Sequence, residues 1–169
     1  MPRTCGICSL CCKLPYMAEL DKPIDTWCRH CRPGKGGCSI YPQRPSSCRD
    51  FECLWRIDEQ FGDEWCPARS KMLLAVKPAD GRVVVTVDPA FPTAWRREPY
   101  YSWFRTSAKR DGPVVIRIGL RIIALAADGS ETTIHRSQAQ IEERAQDQLS
   151  EDVDSLKKLS KAPSLLDGI

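Results

Sequence analysis

Lys71-Met72-Leu73-Leu74-Ala75-Val76 and Arg82-Val83-Val84-Val85-Thr86-Val87 flank Pro78-Ala79-Asp80-Gly81. Two β-branched or apolar runs around a Pro/Gly turn predict a β-hairpin. Downstream, Pro99 to Lys109 suits a short helix with Pro in its first turn, stopped by Asp111-Gly112-Pro113. From Val114 to Leu125, Ile116, Ile118, Leu120 and Ile122 alternate with Arg117, Gly119 and Arg121, which predicts a third, half-buried strand before the Asp128-Gly129 turn. After Ser137, Ile141, Ala145, Leu149, Val153, Leu156 and Leu159 recur at helical steps, predicting an amphipathic helix that ends before Pro163. These elements give an α+β fold, a small antiparallel sheet with flanking helices, joined to a loop-rich, metal-stapled N-terminal lobe.

Upstream of the hairpin the chain changes character. All ten cysteines lie in the first 66 of 169 residues, a segment rich in Gly and Pro with little amphipathic periodicity. Such a segment buries few apolar side chains and needs another means of fixation. The expected organisation is a single domain over 1–136, with a cysteine lobe at 1–66 and a β-rich lobe at 67–136, followed by a C-terminal helix and tail at 137–169. No apolar stretch precedes the first cysteine and no run approaches the ~18 apolar residues of a membrane span, so a cytoplasmic location is expected. In that compartment thiols stay reduced, which favours metal ligation over a disulfide framework. The net charge of +3 is too small to imply a nucleic-acid partner by itself.

The densest motif is Cys5-Gly6-Ile7-Cys8-Ser9-Leu10-Cys11-Cys12, followed by Cys28-Arg29-His30-Cys31, Gly37-Cys38, Cys48, Cys53 and Cys66. Closely spaced thiolates reach one ion with little loop-closure entropy. If the first run is helical, Cys5, Cys8 and Cys12 share a face that Cys11 leaves; in an extended chain Cys11 and Cys12 point apart. Either way the adjacent pair is ill placed to chelate one tetrahedral ion, which implies two metals or a multinuclear cluster. Pro45 suits the first turn of a helix carrying Cys48, and continuation of that helix puts Cys53 about 140° round from Cys48. Arg44 and Arg49 are candidate counter-charges, because four thiolates about a divalent ion leave excess negative charge.

Residues 5–12 spell C-x2-C-x2-C-C, and Gly37-Cys38-x-Ile40-Tyr41-x2-Arg44-Pro45-x2-Cys48-Arg49-x-Phe51 follows in order. In these two motifs the chain resembles the zinc- or iron-chelating cysteine-cluster proteins called YkgJ-like. The resemblance covers about the first third of the chain. It implies metal chelation, with ligand status for Cys5, Cys8, Cys11, Cys12, Cys38 and Cys48; Cys28 and Cys53 join them, whereas Cys31 and Cys66 match no position of the pattern.

Soft thiolates suit zinc and iron–sulfur clusters alike. The cofactor expected is iron or an iron–sulfur cluster, or zinc, in more than one equivalent, and the role an accessory or redox one. The competing reading is a structural-zinc interaction module with a protein or nucleic-acid partner, contacted through the aromatic and basic residues from Trp95 to Arg110. Against it, Tyr100, Phe104 and Ala108 fall at i, i+4 and i+8, which core burial explains. His30 and His135 read as structural rather than ligating. No sequence constellation supports an enzyme: there is no phosphate-binding glycine loop, no Gly-x-Ser-x-Gly elbow and no His-Glu-x-x-His.

Overall fold

A computed structural model describes residues 3–6, 8–35, 37–76 and 81–145. Five strands form one sheet: β1 (Met72–Val76), β2 (Val83–Val87), β3 (Val114–Ile118), β4 (Arg121–Leu125) and β5 (Glu131–His135). They lie side by side in sequence order. The β1–β2 hairpin is present and antiparallel, with Leu74 opposite Val85. The α+β class is as expected, yet the sheet is mixed rather than purely antiparallel, because β3 runs parallel to β2 with Val85 beside Ile116. Parallel neighbours need a crossover connection, and helix α4 (Tyr100–Asp111) supplies it here. The expected strand over 114–125 is two strands that pair with each other, turning at Gly119 and Leu120, where Gly119 takes a φ of +58° that Gly adopts without penalty. β5 was not foreseen. All five of its residues are exposed, so its sequence carries no burial pattern.

Alternation assigns each strand residue to one of two faces. On one face Met72, Leu74, Val85, Val87, Ile116 and Leu125 are buried against α4, which contributes Tyr100, Phe104 and Ala108. The aromatics of α4 are therefore core, as their spacing predicts. Trp65 packs among Tyr100, Trp103 and Phe104, with ring centroids 4.9, 5.3 and 5.9 Å away. The Tyr100 hydroxyl also donates to the Glu64 carbonyl at 2.7 Å. Gly112, at φ +86°, ends the helix before Pro113.

The cysteine lobe covers part of the opposite face. Leu73 points there and forms a small buried cluster with Leu10 and Leu14, against which Cys8, Cys11, Phe51 and Cys53 pack. Short helices α1 (Ser46–Asp50), α2 (Leu54–Ile57) and α3 (Pro67–Ser70) are the lobe's regular elements, with 3-10 turns at Leu10–Cys12, Ala18–Leu20, Tyr41–Gln43 and Asp63–Trp65. Cys48 does ride on a helix begun at Pro45, but that helix does not reach Cys53. Phe51 is extended, its ring turned to the Leu10, Leu14 and Leu73 cluster, and Cys53 caps the separate α2.

Two ion pairs tie the lobe to the sheet. The Lys13 ammonium meets Asp88 at 2.7 Å, and the Arg117 guanidinium on β3 bridges both Asp25 oxygens, at 2.8 and 3.2 Å, and the Leu14 carbonyl, at 2.8 Å. At the other end, Ser137 and Gln140 exchange side-chain and backbone bonds of 2.9 and 3.2 Å, a capping box that starts the helical residues 138–145. The rest of the expected C-terminal helix falls outside the described residues. No helix among the described residues is long and apolar enough to cross a membrane.

Arg117 is 8% exposed, so removing its carboxylate partner strands a buried cation. Asn tolerates the left-handed φ of +55° that Asp25 holds. Asp25→Asn is therefore expected to cost about 3 kcal/mol without backbone strain. Urea unfolding measures this, and an unchanged midpoint contradicts the tie.

Candidate metal centre

The cysteine lobe is folded around a cavity of about 390 Å³. Its wall holds Cys5, Cys8, Cys11, Cys12, Cys28, Cys38, Cys48 and Cys53, the eight thiols that the sequence nominates as ligands. Four cations share that wall: Lys22, Arg44, Arg49 and Arg56. All ten cysteines are free thiols. Among the described residues no three His, Cys, Asp or Glu side chains are closed tightly enough to hold an ion as they stand. The thiols ring an open space instead, and bringing four of them onto one centre requires χ1 rotations.

The local chain explains the convergence. Cys8 N–H donates to the Cys5 carbonyl at 2.8 Å, closing a turn between the first two thiols. Cys12 lies in the 3-10 turn that follows, and its carbonyl accepts Cys28 N–H at 2.8 Å, which brings the knuckle beside it. Inside the knuckle, Cys31 N–H bonds the Cys28 carbonyl at 3.0 Å and His30 N–H donates to the Cys28 sulfur at 3.4 Å. His30 thus serves through its backbone. Cys48 donates to the Met17 sulfur at 3.7 Å. A second cavity, of about 20 Å³, is lined by Cys5, Cys8, Cys11 and Cys53 together with Trp55 and Pro67.

Mutual electrostatics sort the thiols. Cys8 feels Cys66 and Cys5, and Cys53 feels Cys5 and Cys66. Cys31 feels Cys12 and Cys28, and Cys48 feels Cys12, Cys28 and Cys38. The Cys28-x2-Cys31 knuckle spacing already set Cys31 beside Cys28, but sequence spacing did not reveal the nearness of Cys31 to Cys12 or of Cys66 to Cys8 and Cys53. Cys66 follows the core residue Trp65 and caps α3, so the ring stack holds it in place.

Every resolved thiol shift is upward. Burial pushes Cys8 from 9.0 to about 11, opposed by backbone N–H donors and helped by Cys66 and Cys5. Burial, then Cys12, pushes Cys31 to about 11. Cys12 is raised first by its hydrogen bond with Cys11 and then by burial. Lys22, 4% exposed and bonded to the carbonyls of Lys13, Pro15 and Pro23, is lowered by burial while Cys28, Asp25 and Cys12 hold it up. No spacing or motif singles out this buried cation. Arg44, one of the two foreseen counter-charges, stacks 3.7 Å from the Tyr41 ring and bonds the Tyr41 carbonyl at 3.0 Å.

Of the tryptophans near candidate ligands, Trp65 is core and Trp27 is exposed beside Lys13. Trp55 lines the smaller cavity, and its indole N–H is buried with no partner. An unpaired donor among thiols fits a sulfur that becomes an anion on metal binding. No protein-family model, curated protein or solved structure matches the chain.

A thiol whose folded pKa is raised stabilises the fold fully below its unfolded value and loses that contribution as pH climbs through the folded value. The urea midpoint of the metal-free protein is therefore expected to hold below pH 9 and to fall toward pH 11, the window set by Cys8 and Cys31. Cys8→Ser should flatten part of the fall. A midpoint that rises with pH across this window contradicts the assignment.

Proposed function

We propose that this chain is a metal-binding protein whose N-terminal thiolates hold iron, as an ion or an iron–sulfur cluster, or zinc, in more than one equivalent, and that it serves an accessory or redox role. The observation carrying this reading is the convergence of eight thiols from five separate stretches of chain on one cavity with four cationic side chains. Buried thiols have other uses, but a lobe stabilised by apolar packing alone has no reason to leave about 390 Å³ open at its centre. The resemblance of residues 5–12 and 37–51 to the cysteine-cluster family supports the same reading.

Cavity size bears on the metal. One zinc ion with four sulfurs at ~2.3 Å fills the space between them, whereas iron–sulfur clusters, also held by four thiolates, need a larger chamber. Iron is favoured on this ground. When bound, such a group supplies one-electron chemistry. The protein's residues hold it, exclude water with Met17, Ile40 and Phe51 at the wall, and offset thiolate charge with Lys22, Arg44, Arg49 and Arg56.

Because the thiols favour the protonated form, each metal–sulfur bond formed near neutral pH releases a proton to solvent, and affinity rises with pH. Anaerobically prepared protein is expected to carry more than one equivalent of metal by elemental analysis. Iron gives visible charge-transfer absorption, and zinc gives none. If the metal contributes even about 3 kcal/mol, its removal by a chelator lowers the thermal midpoint by roughly 6–12 °C. Protein that is free of thiophilic metal and melts identically with and without chelator overturns the proposal.

A further inference from the structure

We infer that Cys31 and Cys66 are metal ligands, and that the ten thiols form two sets of five, Cys5, Cys8, Cys11, Cys53 and Cys66 around one centre and Cys12, Cys28, Cys31, Cys38 and Cys48 around the other. This rests on the metal-binding reading above and deepens it. Neither Cys31 nor Cys66 belongs to the cavity wall or to the motifs that nominate the other eight.

Backbone geometry places Cys31. It sits opposite Cys38 in an antiparallel bridge. The flanking bonds, Ser39 N–H to the His30 carbonyl at 2.8 Å and Arg32 N–H to the Gly37 carbonyl at 3.3 Å, make the two cysteines a non-hydrogen-bonded pair. Such partners have Cα atoms about 4.5 Å apart and side chains on one face at closest approach. Cys38 lines the cavity, so Cys31 is carried to the same side. Cys28 is tied to Cys31 through the knuckle turn and to Cys12 by the 2.8 Å backbone bond. Four thiols are thereby linked pair by pair, and Cys48, which shares the cavity wall with Cys12, Cys28 and Cys38, is the fifth.

Cys66 is placed from the other side of the lobe. Pro67 is buried and lines the small cavity with Cys5, Cys8, Cys11 and Cys53, which puts Cys66 at its border. The thiol of Cys8 feels both Cys66 and the backbone N–H of Ala68, two residues on. Trp55, whose buried indole N–H lacks a partner among the described residues, lines the same small cavity. The boundary between the sets falls between Cys11 and Cys12. The Cys11 and Cys12 thiols, which interact with each other, mark the seam where the two centres adjoin.

Cobalt(II) titration of the metal-free full chain under anaerobic conditions, with zinc back-titration, tests the assignment by counting thiolate-bound equivalents from the sulfur-to-cobalt absorption. Wild type is expected to saturate at two equivalents; because four of the five thiols in a set suffice for a tetrahedral ion, Cys31→Ser combined with Cys48→Ser, and Cys66→Ser combined with Cys11→Ser, are each expected to saturate at one, and the fourfold variant to bind neither tightly. Two equivalents retained in both paired variants, or saturation of wild type at one, overturns the inference while leaving metal binding intact. Wild type that binds none overturns the metal-binding reading instead. A variant that has lost the near-ultraviolet signature of the tryptophan core is replaced by a measurement on wild type, alkylation by iodoacetamide with and without zinc followed by peptide mass mapping. Protection of Cys31 and Cys66 by zinc supports the inference, and equal alkylation of either residue in both samples overturns it.

Discussion

The first 66 residues have too little apolar surface to fold as an independent layer, and the arrangement of the lobe follows from that shortage. Apart from Leu54, Phe61 and Trp65, which join the main core, its buried hydrophobic anchor is the cluster of Leu10, Leu14 and Leu73, of which one member belongs to the sheet. At roughly 2 kcal/mol per fully buried leucine, such a cluster cannot offset the ordering entropy of dozens of irregular residues. The chain compensates with polar ties of long sequence separation, Arg117 to Asp25 and Lys13 to Asp88. These fix where the lobe sits on the sheet. They do nothing to fill its centre, where the thiols are.

The sheet contributes rigidity at one decisive place. Between Asp63 and Ser70 the chain passes from the lobe into the core, and Trp65 is held among Tyr100, Trp103 and Phe104. Cys66 follows immediately, so its backbone is located by the core and not by the lobe's own weak packing. The order of assembly follows from the energetics: the sheet and α4 bury most of the apolar surface, and the cysteine turns close against them.

What the sequence disclosed was what depends on near neighbours. The β1–β2 hairpin, the helix after Pro99 and the eight thiols of the cavity wall were legible because β-branched runs, a Pro/Gly frame and short Cys spacings are local signals. The break at Gly119 and Leu120 was hidden by its own geometry, since a two-residue turn preserves the period-two alternation and β3 with β4 reads as one strand. β5 was hidden by exposure. The parallel pairing of β2 with β3 depends on which edge the α4 crossover returns to, which no single strand encodes. Cys66 escaped notice for a similar reason: it is 13 residues from Cys53 and 58 from Cys8 in sequence, and only the docking of Trp65 brings it near.

The cations and the raised thiol pKa values belong to one argument. An uncoordinated set of thiolates in this lobe would repel itself; burial shifts Cys8 and Cys31, and the hydrogen bond with Cys11 followed by burial shifts Cys12, toward the neutral form, which removes the repulsion. A divalent ion reverses the balance, because it replaces the protons and leaves each four-thiolate unit with a residual charge of about −2. Lys22 is already buried beside Cys12 and Cys28, held by three backbone carbonyls and disfavoured as a cation by its own burial. Adding negative charge next to it relieves that disfavour. On the proposed reading, coordination of a thiophilic metal would add thiolate charge beside Lys22 to the carboxylate charge that Asp25 already supplies there.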